Sequence, residues 1–197
     1  MSSLQKAVFL DRDGTLIIDK VYLNDPDQIE YLPDVFEALR RLRDAGFIFL
    51  IATNQSGIAR RLVEPINLDE THRRMRAEFA RHGVDLKAFY YAPYSVESNH
   101  WVRKPNPGML LRGALDFRVD LEASWMIGDR YSDVEAGRRA GCRTGLLLGH
   151  ETWPPSGTPS ENLSWPDLAC HGLMEMAEQI LAFERAREVV ANRDVRF

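Results

Sequence analysis

A chain of 197 residues is long enough for one domain with a single sizeable core, and 45% hydrophobic with 27% charged residues is the balance of a soluble globular protein. The formal net charge of −4 argues against a nucleic-acid partner held by bulk electrostatics. No apolar stretch reaches the ~18 residues of a membrane span, no signal pattern opens the chain, and Cys142 and Cys170 alone cannot build a disulfide framework, so a cytoplasmic protein without a membrane partner is expected.

The first element is the apolar run Ala7–Leu10, which reads as a buried parallel strand and stops at Asp11-Arg12-Asp13-Gly14-Thr15. Pro33 opens a helix whose Val35, Leu39 and Leu42 share one face until Gly46. A second strand follows over 47–53. Asn67 and Glu70 have the spacing of a capping box, which starts a helix through Met75 and Phe79 to Gly83. A third strand covers 88–92, and Pro107 opens a helix through Leu110, Leu111, Ala114 and Leu115. Then come a fourth strand over 124–128, a helix from about Ser132 to Ala140 and a fifth strand over 143–148. Pro, Ser and Gly mark 151–166 as a surface loop. A weak sixth strand lies over 168–170, and the last helix, from about Leu173 to Val189, carries Met174, Ala177, Ile180, Leu181 and Val189 as a stripe that docks on the sheet or joins a dimer.

Strand and helix in alternation imply right-handed crossovers and a Rossmann-like, doubly wound α/β fold: a mostly parallel sheet of five or six strands flanked by helices. One domain over 1–197 is expected, with the motif-bearing core in 7–149 and a C-terminal strand and helix in 167–192. Neither 17–33 nor the stretch between Thr53 and Lys104 is long enough for a cap domain, so the site is expected to be open and screened by loops.

Carboxylates at the end of a buried strand cost stability unless they are partnered, yet the carboxyl edge of such a sheet is where ligands bind. Asp11 and Asp13 there can hold a divalent cation and leave one oxygen to attack phosphorus. Thr53-Asn54-Gln55-Ser56-Gly57 offers donors to a phosphate, Lys104 can offset its charge, and Asp129 and Asp133 follow the fourth strand. Each segment alone also reads as something ordinary: a strand-end turn, a polar loop, a solvated basic pair, an acidic helix start. Together, at the ends of successive βα units of one sheet, they point to a single site.

In order and residue type these segments resemble the four motifs of the haloacid dehalogenase-like (HAD) phosphohydrolases over about 7–149. Thr53-Asn54-Gln55-Ser56-Gly57-Ile58-Ala59-Arg60, Arg103-Lys104-Pro105 and Pro107-Gly108-Met109-Leu110 are similar to the capless branch of heptose-bisphosphate and histidinol phosphatases. The resemblance implies a Mg²⁺-dependent phosphomonoesterase. Asp11 would form an aspartyl-phosphate, Asp13 would act as acid and then base, and Thr53 and Lys104 would hold the phosphoryl oxygens. Mg²⁺ would take oxygens from Asp11, the Asp13 carbonyl and Asp129, with Asp133 orienting Lys104 or a metal-bound water. Substrate contacts would come from Asp19, Lys20, Val21, Tyr22, Asn54, Gln55, Ser56, Arg103 and Arg130. Arg60 and Arg130 read first as solvated cations, and second as partners of another phosphate or a sugar hydroxyl. The implied substrate is a sugar bisphosphate such as D-glycero-D-manno-heptose 1,7-bisphosphate, with histidinol phosphate or another small metabolite as the alternative, handled by a monomer or homodimer.

Many members of that branch carry a Cys-x-His and Cys-x-Cys zinc clamp. Here 92–94 is Ala-Pro-Tyr and 100–102 is His-Trp-Val, so no structural zinc is expected. Pro93, Tyr94 and Trp101 are expected to stiffen the loop by packing, His100 to be exposed, and Trp125, Trp153 and Trp165 to be core or loop anchors. Two other classes stay open: a receiver-like phospho-acceptor, disfavoured because the third strand ends without Asp, and a silent binding protein, disfavoured because every motif residue is present.

Overall fold

The computed structural model describes residues 4–149 and 165–194. Strands β1 (Ala7–Leu10), β2 (Ile48–Asn54), β3 (Leu86–Ala92), β4 (Trp125–Gly128), β5 (Arg143–Leu147) and β6 (Leu168–Cys170) form one parallel sheet in the order β3-β2-β1-β4-β5-β6. Around it lie α1 (Val35–Asp44), α2 (Ser56–Ala59), α3 (Pro65–Arg81), α4 (Gly108–Phe117), α5 (Tyr131–Ala140) and α6 (Leu173–Asp194). All four residues of β1 are fully buried because both of its faces are covered. Val8 and Leu10 pack with Leu39 and Leu42 of α1, Met75 and Phe79 of α3 and Ile180 of α6. Ala7 and Phe9 pack with Met109 and Leu110 of α4 and Ala140 of α5 on the other side.

Strand order decides where chemistry can occur. The chain runs outward from β1 to β2 and β3, then crosses back to place β4 on the other flank of β1. A crevice opens at such a reversal, beyond the carboxyl ends of β1 and β4. The backbone N–H of Asp11 donates to the Ile127 carbonyl at 2.9 Å, which ties the two strand ends together at that crevice.

Several elements depart from the sequence expectation. α3 begins at Pro65, two residues before Asn67, because proline at a helix start has no N–H to lose. Asn67 therefore lies inside the helix, where its carbonyl accepts from the Thr71 hydroxyl at 2.8 Å, and Glu70 pairs with Arg73 and Arg74. A side-chain cap occurs instead at α5, where the Arg130 N–H donates to Asp133 Oδ2 at 3.0 Å. The four residues of α2 show no apolar period and were not expected as a helix. β3 starts at Leu86, where a register shift opposite Phe49 and Leu50 absorbs the extra residues. Trp125 is a core residue, but Trp101 and Trp165 are exposed, and His100 is half-buried against Tyr94, ring centroids 3.7 Å apart. Trp153 and nearly all of the expected 151–166 loop lie outside the described residues. Among the described residues no helix is long and apolar enough to cross a membrane.

Candidate active site

Asp11 follows β1 directly, and its Oδ1 accepts the Arg12 backbone N–H at 2.7 Å. Lys104 arrives from the other side of the sheet edge. Its Nζ lies 3.0 Å from Asp11 Oδ2 and 2.6 Å from Asp133 Oδ1, and donates to the Ala52 carbonyl at 2.6 Å. Asn54, at the end of β2, holds the Lys104 backbone from both sides: Nδ2 donates to the Lys104 carbonyl and Oδ1 accepts the Lys104 N–H, each at 3.0 Å.

Asp129 follows β4 and is 1% exposed, yet neither of its carboxylate oxygens has a hydrogen-bond partner. Arg130 Nε lies 3.9 Å from Oδ2, beyond hydrogen-bond reach. Gly14 makes room for this carboxylate: a Cβ there would fall 2.3 Å from Asp129 Oδ2, and the backbone has φ +75°. One oxygen from each of Asp11, Asp129 and Asp133 falls within 4.8 Å of the others.

Electrostatics follow from this crowding. Burial, then the Asp11 and Asp133 charges, push Asp129 up to about 8. Burial also raises Asp11, to about 6, against the pull of Lys104 and with the repulsion of Asp133 and Asp13. Burial opposes the Lys104 ammonium, but Asp11 and Asp133 outweigh it and hold that group above its ordinary value. One lysine cannot neutralise this many carboxylates. An unpartnered buried carboxylate among oxygen donors fits a hard divalent cation such as Mg²⁺.

A cavity of about 530 Å³ opens from this centre. Asp11, Asp13, Thr53 and Lys104 line its floor, and Asp19, Val21, Tyr22, Asn54, Ser56, Arg103 and Arg130 line its walls. Arg130 Nη2 donates to Asp19 Oδ2 at 2.9 Å, and Arg103 Nη1 to the Tyr94 carbonyl at 3.0 Å. Two expected substrate contacts lie elsewhere. Lys20 pairs with Glu30 at 2.9 Å on the surface, and Gln55, 6% exposed, turns its amide to Asp13 and Thr53, each at 2.9 Å. Residue type announces a polar turn but not which way its side chain points. Arg60 also lies off the lining and donates to the Tyr22 hydroxyl at 3.0 Å. Val96, Asn99, Tyr131 and Ser132 line the cavity without any sequence signal that singled them out.

The HAD-hydrolase-like family model matches residues 101–173. D-glycero-beta-D-manno-heptose-1,7-bisphosphate 7-phosphatase of Escherichia coli K12 is 35% identical over 187 residues, covering 91% of this chain and 96% of that protein. The enzyme of the same name from Pasteurella multocida Pm70 is 37% identical over 151 residues, 74% and 82% of the two chains. The crystal structure of the D,D-heptose 1,7-bisphosphate phosphatase from B. bronchiseptica, complexed with magnesium and phosphate, superimposes with a TM-score of 0.78 at 32% identity, covering 90% of this chain and 98% of that one. At this identity and coverage the chain belongs to the family of those HAD-like enzymes and is a phosphoric monoester hydrolase.

Proposed function

We propose that this enzyme, a single domain in the cytoplasm, removes one phosphate from a sugar bisphosphate, with the heptose 1,7-bisphosphate named for its relatives as the first candidate. The observation that carries the reading is the convergence of Lys104 on Asp11 and Asp133 beside the unpartnered Asp129. Asp11 is the nucleophile. Its carboxylate oxygen bonds to phosphorus while the ester oxygen leaves, giving an aspartyl-phosphate and splitting one displacement into two. Asp13 gives its proton to the leaving oxygen, then takes one from the water that attacks phosphorus and returns the Asp11 carboxylate. Thr53 and Lys104 hold the phosphoryl oxygens, and Asp133 keeps the Lys104 ammonium aimed at them. Asp11, Asp129 and the Asp13 carbonyl would hold Mg²⁺, which supplies positive charge against the phosphate and the nucleophile.

Positive charge at the wall supports a substrate with a second anionic group. Burial and the neighbouring Arg60 and Arg130 hold the Arg103 guanidinium below its ordinary value despite Glu97. Planar guanidinium groups suit bidentate contact with phosphate. Phosphate release from a panel of phosphorylated metabolites, including heptose 1,7-bisphosphate and histidinol phosphate, tests the substrate; preference for a monophosphate over every bisphosphate would overturn it. Asp11→Asn is expected to lower turnover by roughly 10³-fold or more with the fold intact. Normal turnover by that variant removes Asp11 from its role.

A further inference from the structure

We propose that Arg12 and Gln55 are positioning residues that fix the Asp13 carboxylate from behind and leave Oδ1 as the oxygen that carries the proton. The proposal rests on the reading of Asp13 as proton donor and acceptor.

Arg12 sits between the two motif aspartates but is 1% exposed and does not line the cavity. Its guanidinium makes a forked contact with Asp13: Nε donates to Oδ2 at 3.1 Å, and Nη2 lies 3.0 Å from Oδ1 and 2.9 Å from Oδ2. Gln55 Nε2 adds a donor to the same Oδ2 at 2.9 Å. Neither Arg12 nor Gln55 is among the lining residues, whereas Asp13 is, so the donors approach from the protein side. Each carboxylate oxygen has two in-plane lone pairs. Nε of Arg12 and the Gln55 amide use both on Oδ2, while Nη2 uses one on Oδ1. A proton on the open site of Oδ1 displaces neither Oδ2 donor.

The clamp is itself seated. Arg12 Nη1 lies 3.4 Å from His72 Nε2 in a buried contact, and the His72 ring stacks on Phe89 with centroids 4.5 Å apart. A fork on one side and an aromatic stack on the other leave the Asp13 plane little freedom to rotate. Proton transfer to a leaving oxygen is sensitive to such placement, because a displacement of about 1 Å can cost roughly 10²-fold.

Leaving-group dependence separates positioning from simple support. An alkoxide must receive the Asp13 proton as its bond to phosphorus breaks, whereas p-nitrophenolate departs with little help. The comparison uses kcat/KM, which covers steps through aspartyl-phosphate formation, for a sugar phosphate and for p-nitrophenyl phosphate. Arg12→Lys is expected to lower the sugar-phosphate value by about 10²-fold and to leave the aryl value within about threefold. Gln55→Leu also removes the donor to Thr53 Oγ1, so it is expected to lower both values, the sugar-phosphate value about tenfold more than the aryl value, and that difference decides the question if Arg12→Lys fails to fold. Equal losses on both esters, or none on either, overturn the proposal. Asp13→Asn is the control for the underlying reading: if it shows no selectivity against the sugar phosphate, Asp13 is not the proton donor and both statements fall together.

Discussion

At Gly14 two demands meet, a left-handed backbone and a carboxylate within touching distance. Any Cβ would strain the turn and displace Asp129, so Gly14→Ala is expected to cost about 1–3 kcal/mol and to weaken Mg²⁺ binding together. Denaturant unfolding with a Mg²⁺ titration by thermal shift checks both effects. His72 supplies a pH dependence. Burial first, then the Arg12 and Arg76 charges, lower it to about 3 from an ordinary 6.5. Between those values the unfolded chain binds a proton that the folded chain refuses. His72 thus contributes stability that is complete above pH 6.5 and is lost as pH falls, at about 1.4 kcal/mol per pH unit. His72→Gln is expected to flatten stability against pH between 4 and 6; an unchanged slope would contradict this. At this scale the sequence showed which polar residues lie at the ends of apolar strands, so Asp11, Thr53 and Asp129 were legible as candidates, and Lys104 was legible from Arg103-Lys104-Pro105 ahead of a helix. It could not show that Gln55 faces inward or that His72, inside a helix, reaches Arg12, because both depend on tertiary direction.

Helix α3 starts with help from a distant segment. Asn24 Oδ1, in the stretch before α1, accepts the Glu64 N–H at 2.8 Å and the Asn67 amide at 3.1 Å. Asn24→Ala is expected to cost about 1 kcal/mol in thermal or denaturant unfolding. It should also raise KM through the neighbouring Asp19–Tyr22 wall while changing kcat less. Equal KM values for both forms would separate the wall from the helix start. This explains why the capping signal was misplaced: Asn67 does engage the helix start, but across space rather than along the chain. Strands read more faithfully: β1 is a buried run bounded by polar residues, a signal that is local in the chain. α2 was hidden because four residues are too few for a period.

Across the whole molecule, the sheet gathers negative charge at the reversal between β1 and β4, where the expected ligand is a cation. Mg²⁺ at a hundred times its Kd should stabilise the protein by about 2.7 kcal/mol, and Asp129→Asn should remove that gain. A zinc-selective chelator should leave the melting temperature unchanged; a drop would reveal a structural zinc. The parallel, doubly wound sheet and a site at its carboxyl edge were legible from the alternation of strands and helices and from motif order; the strand order and the reversal between β1 and β4 were not, because they depend on which strands pair across the chain.

The Asn54 side chain imitates a rung of β-ladder, satisfying both backbone groups of Lys104 as a neighbouring strand would. That stitch fixes the ammonium's address from β2 as well as from the loop that precedes it. Substitutions at Val96 and Asn99 are therefore expected to reshape the cavity wall while leaving the seat of the ammonium beneath them in register.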